Sequence, residues 1–495
     1  MQDTSRFPAP AYRDAVLAPL FDETRRHYGL YLDRVNRAHA VMLAEQHILA
    51  KDAAARILAA LRDIQRDTDF QAMTYTGEFE DLFFVTEHLL GQKVGHDLAG
   101  RLHTGRSRND MDVTIFKMAL KSRLRLLMRQ VVALVERLLV VATRERATLV
   151  VAYTHGQPAQ PTTFGHYLAA LVEVLLRDLG RLLHAYRDAD LSSMGAAAIT
   201  TTGFPLSRPR MAALLGFAGF QENSYGCIAA ADYLAAAYAQ TKLLFINLGR
   251  FIQDLNGWTS FEMAQLYVPN AFVQISSIMP QKRNPVPVEH MRLLASHGIG
   301  QCEVVIGTLH NTPFTDMNDA EGPTQAAGYA AFETATRLLP LLADFVDAVR
   351  VREDRVRATI DAACLGMTEL ADSLVREEDL SFRQAHEVAA ILSRQLIDMG
   401  KGITALDEGR FAAAFTSVAG RAPRLTPAAL RRLTSPEHFI AVRTLPGGPG
   451  ALETSLASYR AQLDAVLSRL AALDSAEADA EAELDGAVQR LIEGA

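Results

Sequence analysis

The sequence predicts an all-α fold, and three observations carry that expectation. Helix breakers are scarce: 31 Gly and 19 Pro among 495 residues make about a tenth of the chain, below the roughly 12% of ordinary proteins. Ala- and Leu-rich stretches recur along the chain, and apolar residues repeat at helical spacing over segments much longer than an average globular helix. With 49% hydrophobic and 22% charged residues, the composition suits neither a disordered chain nor a coiled-coil fibre. At roughly 150 residues per domain, the length suggests about three structural units.

Residues 1–110 read as an N-terminal domain of shorter helices with charged faces, such as Asp22–Leu49 and Asp52–Asp69. The strongest periodicity follows. Leu120, Leu124, Leu127, Val131, Leu134, Leu138 and Val141 alternate spacings of four and three, the heptad seam of helices that pack at a shallow angle. With no Pro or Gly between Asp110 and Gly156, this helix has room for about 35 residues, on the order of 50 Å at 1.5 Å per residue. Four more long segments complete a central domain over 111–360: one carrying Leu168 to Leu182, one from Ile228 to Leu255, one from Val286 to His310, and one from Thr324 to Arg350 with Pro340 as an expected kink. Helices apolar on more than one face must bury both, so this five-helix bundle is expected to associate with copies of itself. Residues 361–495 read as a small helical domain broken by Pro423, Pro427 and Pro436. The acidic, Ala-rich stretch Ser475–Glu481 reads as a solvated terminal helix or frayed tail.

A net charge of −7 argues against nucleic-acid or membrane-surface binding, which need a basic footprint. Cys227, Cys302 and Cys364 have no CxxC or metal-type spacing, so neither a disulfide framework nor a zinc site is expected. Met1–Ser5 lacks a basic segment followed by an apolar stretch, and no run approaches the ~18 apolar residues that span a bilayer. A cytoplasmic location is the expectation.

Three polar, Gly- or Pro-interrupted segments lie at the ends of the long helices, where functional loops on a rigid scaffold belong. In Arg101–Asp110, the Ser107-Arg108-Asn109-Asp110 cluster suits a helix cap with solvated charges, or a carboxylate site built from a cation, polar donors and helix amides. Tyr153–Pro161 places Thr154, His155, Gln157 and Gln160 between two prolines; a lone histidine is often only a satisfied structural group. The third segment is Ser276-Ser277-Ile278-Met279-Pro280-Gln281-Lys282-Arg283-Asn284-Pro285. By itself it suits a connector, yet its order is specific.

That third segment closely resembles the signature loop of the aspartase/fumarase superfamily. His103–Asp110 and Thr154–Pro161 resemble the family's other two regions, in the form used by argininosuccinate lyases. Asp372–Arg376 and Phe382–Glu387 are similar to that family's C-terminal domain. The resemblance implies a three-domain subunit forming a homotetramer around a 20-helix core, with each active site shared by three chains. It also implies β-elimination of fumarate from a succinyl compound, without metal or organic cofactor. By similarity, Ser276 would be the base that takes the carbon-bound proton, Lys282 the cation favouring its oxyanion, and Asn284 a carboxylate holder. Ser107, Arg108, Asn109, Thr154 and Gln160 resemble positions that grip the fumarate part. His155 would be acid or orienting group, paired with Glu289.

The amine end departs from the pattern. Where argininosuccinate lyases carry Glu-Asp-Ile-His-Thr, this chain has Glu80-Asp81-Leu82-Phe83-Phe84. Where they carry a tyrosine, a glutamine and a lysine that help hold arginine, it has Pro313, Asn318 and Glu321, and Ile275 stands where glycine is usual. Exchanging lysine for glutamate turns an ion pair into a like-charge contact for arginine's α-carboxylate. The expected substrate is therefore an N-substituted aspartate of the ethylenediaminedisuccinate kind, with Glu321 and Asp319 facing a second amine. Argininosuccinate itself and a catalytically silent, crystallin-like homologue are the alternatives.

Overall fold

Five long helices form a closed ring in the computed structural model, which describes residues 7–494; the segment Met1–Ser5 lies outside them. The principal elements are α1 (Ala18–His27), α2 (Gly29–Glu45), α3 (Lys51–Asp67), α4 (Leu82–Val94), α5 (Arg108–Arg144), strands β1 (Leu149–Thr154) and β2 (Gln157–Thr163), and α6 (Phe164–Ala189). They continue with α7 (Asp232–Trp258), strands β3 (Gln274–Ile275) and β4 (Arg283–Asn284), α8 (Val286–Leu309), α9 (Gly322–Ala348), α10 (Glu353–Ala362), α11 (Met367–Glu378), α12 (Phe382–Asp398), α13 (Glu408–Ala419) and α14 (Leu452–Glu493). Helices α5 to α9 each pack on the next, and α9 closes on α5.

The heptad seam is the reason α5 runs 37 residues. Leu120, Leu124, Leu127, Val131, Leu134, Leu138 and Val141 are all buried, so one continuous stripe is removed from water. Small residues set the closest approaches: a Cβ at Gly298 on α8 would collide with the Phe245 ring, and one at Gly328 on α9 with Tyr238. Pro340 sits inside α9, which continues on both sides of it. The stretch expected as one helix from Asp22 to Leu49 is two, α1 and α2, joined at Tyr28.

Residues 364–430 bury a separate apolar cluster around Leu370, Leu374, Leu392 and Phe415. Fully buried Glu378 ties α11 to the segment after α13, accepting from Arg421 and from the backbone of Arg424 and Leu425.

The stretch Ser475–Glu481 is helical and Ser475, Ala476, Ala478, Asp479 and Glu481 are exposed, so it is a solvated helix and not a frayed tail, but the helix that carries it is packed on the bundle. α14 is 42 residues long, packs against α2, α3, α5 and α6, and buries Leu456, Leu463, Leu470 and Leu484 in the main core. Within that stretch Glu477 is ion-paired, meeting Arg34 at 3.2 Å and Arg125 at 2.5 Å. Among the described residues no helix is long and apolar enough to cross a membrane.

Candidate active site

The two ends of the bundle carry different parts of the expected site. Ser107 caps α5 in a capping box with Asp110, an arrangement that satisfies amides the first helical turn leaves open. Arg108 Nη1 donates to Glu80 Oε1 at 3.1 Å and Asp81 Oδ2 at 2.8 Å, and its guanidinium lies 5.1 Å from the Phe84 ring centre. Asp81 also caps α4 by accepting from Phe84 N–H at 3.0 Å. Asn109 Nδ2 donates to Ala198 O at 3.1 Å and Asp316 Oδ2 at 2.9 Å. The expectation of solvated charges fails at Asp110, which is fully buried.

Beside these residues lies a cavity of about 280 Å³ lined by both apolar and acidic residues. Leu17, Leu20, Phe21, Tyr28 and Phe116 are among its apolar lining residues and Glu80, Asp81, Asp112, Asp316 and Glu321 are its acids, with Arg108 the one basic residue among the described residues that line it. Burial pushes Asp112 well above the usual carboxylate range, and Glu321, Asp81 and Asp316 push it further. Glu321 is likewise raised by burial and then by Asp316, and Asp316 by burial. The cavity is short of positive charge. Asp319, expected there, is not among the lining residues; Asp316 takes that place. Asp112 was not expected, although it follows Arg108 by one helical turn and so shares its face.

The other two segments lie at the far end of the bundle, about 55 Å away along the 37 residues of α5. Thr154–Pro161, expected as a loop, is the tip of the β1–β2 hairpin. His155 (φ +53°) and Gly156 (φ +74°) form its two-residue turn, the left-handed pair that matches strand twist. Thr154, His155 and Gln160 are exposed. Gln265 joins this hairpin to the chain leading into the signature loop, accepting from Val151 N–H at 2.7 Å.

The signature loop spans the β3–β4 pair, in which Gln274 faces Asn284 and Ile275 faces Arg283. Ile275 is therefore in an extended strand, so its side chain in place of the usual glycine imposes no left-handed strain. Arg283 anchors the loop base to Asn270 Oδ1 (2.5 Å) and Val268 O (2.8 Å). Ser276 Oγ accepts from Met279 N–H at 3.0 Å and Ile278 N–H at 3.4 Å, dipoles oriented to favour negative charge on that oxygen. Lys282 and Glu289 are exposed, the latter in the first turn of α8. Among the described residues, His155 and Glu289 form no ion pair with each other; both are exposed. The chain thus brings Ser107, Arg108 and Asn109 together with the acids of the cavity, and carries Thr154, His155, Gln160, Ser276, Lys282, Asn284 and Glu289 at the opposite end.

The same family emerges from known proteins. A family model described as Lyase matches residues 16–300, and one described as Argininosuccinate lyase C-terminal matches residues 364–441. The chain is 50% identical over 484 residues to Argininosuccinate lyase 2 of Agrobacterium fabrum (strain C58 / ATCC 33970), covering 97% of this chain and 96% of the relative. It is similar in structure to EDDS lyase in complex with formate, with a TM-score of 0.83 and 28% identity over 100% of this chain and 98% of the other. A variant of EDDS lyase with bound fumarate matches equally, at TM-score 0.83, 28% identity and the same coverage. The chain belongs to the argininosuccinate lyase family of the aspartase/fumarase superfamily and is a carbon–nitrogen lyase.

Proposed function

We propose that the protein eliminates fumarate from an N-substituted L-aspartate whose amine part carries a second positive charge, with ethylenediaminedisuccinate favoured over argininosuccinate. The observation that carries this reading is the acid-lined cavity beside Arg108 and Asn109. Its raised carboxylates gain a counter-charge from an ammonium two carbons from the departing nitrogen, as in a diamine, whereas arginine places its ammonium at the far end of its side chain; the carboxylates of a second aspartyl group, like arginine's α-carboxylate, must then point away from Glu321 and Asp316. The apolar lining accommodates a hydrocarbon linker.

In this account Ser276 takes the proton from the aspartyl methylene carbon, and the second charge develops on the adjoining carboxylate as an aci-carboxylate. The amides on Ser276 Oγ support the oxyanion form of the base, with Lys282 as its cation and Asn284 holding a carboxylate. Thr154, Gln160, Ser107, Arg108 and Asn109 grip the succinyl part. The carbon–nitrogen bond then breaks, and His155, oriented by Glu289, donates to or positions the departing amine.

Because the two groups of residues stand at opposite ends of α5, a working site needs a near end from one copy and far ends from others. A homotetramer with sites shared by three chains meets that need. Apolar side chains exposed on the bundle support it: Leu126 and Val140 on α5, Ile246 on α7, and Leu293 and Val304 on α8. The 50% identity to a relative named argininosuccinate lyase favours the second reading, argininosuccinate as substrate.

The experiment compares fumarate release from argininosuccinate, ethylenediaminedisuccinate, N-(2-aminoethyl)aspartate and adenylosuccinate. Fastest turnover of the diamine compounds is expected. Faster turnover of argininosuccinate overturns the substrate assignment, silence with all four revives a catalytically silent homologue, and substantial turnover by Ser276→Ala overturns the base.

A further inference from the structure

The first turn of α5 is held from inside the bundle by a carboxylate that the reaction itself does not use. Asp110, fully buried, accepts three backbone amides: Ser107 N–H at 2.9 Å, Gly195 N–H at 2.8 Å and Ala197 N–H at 3.0 Å. Two of these belong to a turn that crosses α5, in which Gly195 (φ +86°) and Ala197 (φ +51°) are left-handed. A residue with a Cβ rarely adopts that conformation unless its surroundings hold it there.

Seven residues along the same face of α5, buried Lys117 holds the start of that segment. Its Nζ donates to Leu191 O at 3.0 Å, Ser193 Oγ at 3.1 Å and Gln221 Oε1 at 3.1 Å. The segment ends at Ala198, whose carbonyl accepts from Asn109 Nδ2 at 3.1 Å. A chain of contacts therefore runs from Asp110 through Gly195–Ala198 and back to Asn109. Asp110 lies beside the site without lining its cavity.

We propose that Asp110 is a positioning residue for the succinyl end of the substrate, locking the Gly195–Ala198 turn against α5 so that Arg108 and Asn109 are presented in one geometry. The inference rests on the reading above that Arg108 and Asn109 bind that end. Loosening the clamp should cost binding more than turnover, because Asp110 acts on groups that hold the substrate in ground and transition states alike.

The test uses the full-length protein and four variants, Asp110→Asn, Asp110→Ala, Ser193→Ala and Arg108→Ala; the first three are read by kcat, KM and fumarate as a competitive inhibitor, and Arg108→Ala by calorimetric binding of fumarate. Asp110→Asn keeps one acceptor oxygen, so its inhibition constant should rise about 10-fold against about 100-fold for Asp110→Ala, with kcat within about threefold. Ser193→Ala removes one Lys117 partner and should shift the constant in the same direction by about two- to fivefold; it decides alone if the Asp110 variants do not fold. Fumarate affinity unchanged within about twofold in Asp110→Asn and Ser193→Ala, or loss of kcat without loss of affinity, overturns the inference. If Arg108→Ala also leaves fumarate affinity unchanged, the placement of the succinyl end is what fails.

Discussion

Replacing Glu321 by lysine should move the enzyme's preference from diamine-linked aspartates toward argininosuccinate. Glu321 lines the cavity next to Asp316 and Asp112, and burial together with Asp316 raises it. For a ligand charge about 5 Å away at an effective dielectric of about 20, Coulomb's law gives about 3 kcal/mol. Reversing the sign changes that contact twice over, to about 6 kcal/mol. The residue is half-exposed, so screening reduces the figure to about 2–3 kcal/mol, or roughly 30- to 150-fold in relative kcat/KM. Glu321→Gln removes the charge without reversing it and should give about half the free-energy change. Initial rates of fumarate formation from argininosuccinate and ethylenediaminedisuccinate, measured on the same preparations, give the ratio directly. A ratio within about threefold of the parent's in an active Glu321→Lys variant refutes the argument that this lining selects the amine.

Three further outcomes follow from the same geometry. Arg108→Ala and Ser276→Ala, each inactive alone, should recover up to about a quarter of wild-type activity when unfolded and refolded together, because random mixing leaves some sites with both ends intact; no recovery contradicts the shared site. Leu484→Ala on α14, whose side chain is fully buried, should cost about 2–5 kcal/mol in denaturant unfolding, whereas a loss under about 1 kcal/mol would contradict the packing of α14 into the main core. Because Asp112, Glu321 and Asp316 are raised in the folded protein, they favour folding more as pH falls through their raised values toward the ordinary carboxylate range, where the gain is complete. Diamine affinity should move the opposite way, weakening as those carboxylates protonate, and Glu321→Gln should flatten the profile measured by calorimetry.

The bundle was legible because the seam of α5 is a property of one segment: Leu120 through Val141 must share a face whatever covers it. The hairpin was not. Pro158 and Pro161 read as breakers of flanking helices, but both strands of a two-stranded pair are edges, where a missing N–H is tolerated. The terminal stretch was legible as a solvated helix but its docking was not: its Ala, Asp and Glu residues suggested solvent, while the partners of Glu477 are Arg34 and Arg125, more than 300 positions away. Motif order named the expected site residues but not their separation: hairpin and signature loop share one end of the bundle, and Asn109 faces the other. The acidic lining was legible at Glu321 and displaced by three residues at Asp316, since the turn Pro313–Glu321 decides which acids face inward.

The most direct measurement runs the reaction backward: loss of fumarate absorbance with ethylenediamine or with arginine as the amine, under otherwise identical conditions. The account predicts faster consumption with ethylenediamine, abolished by Ser276→Ala. Faster consumption with arginine, or consumption that survives Ser276→Ala, contradicts it.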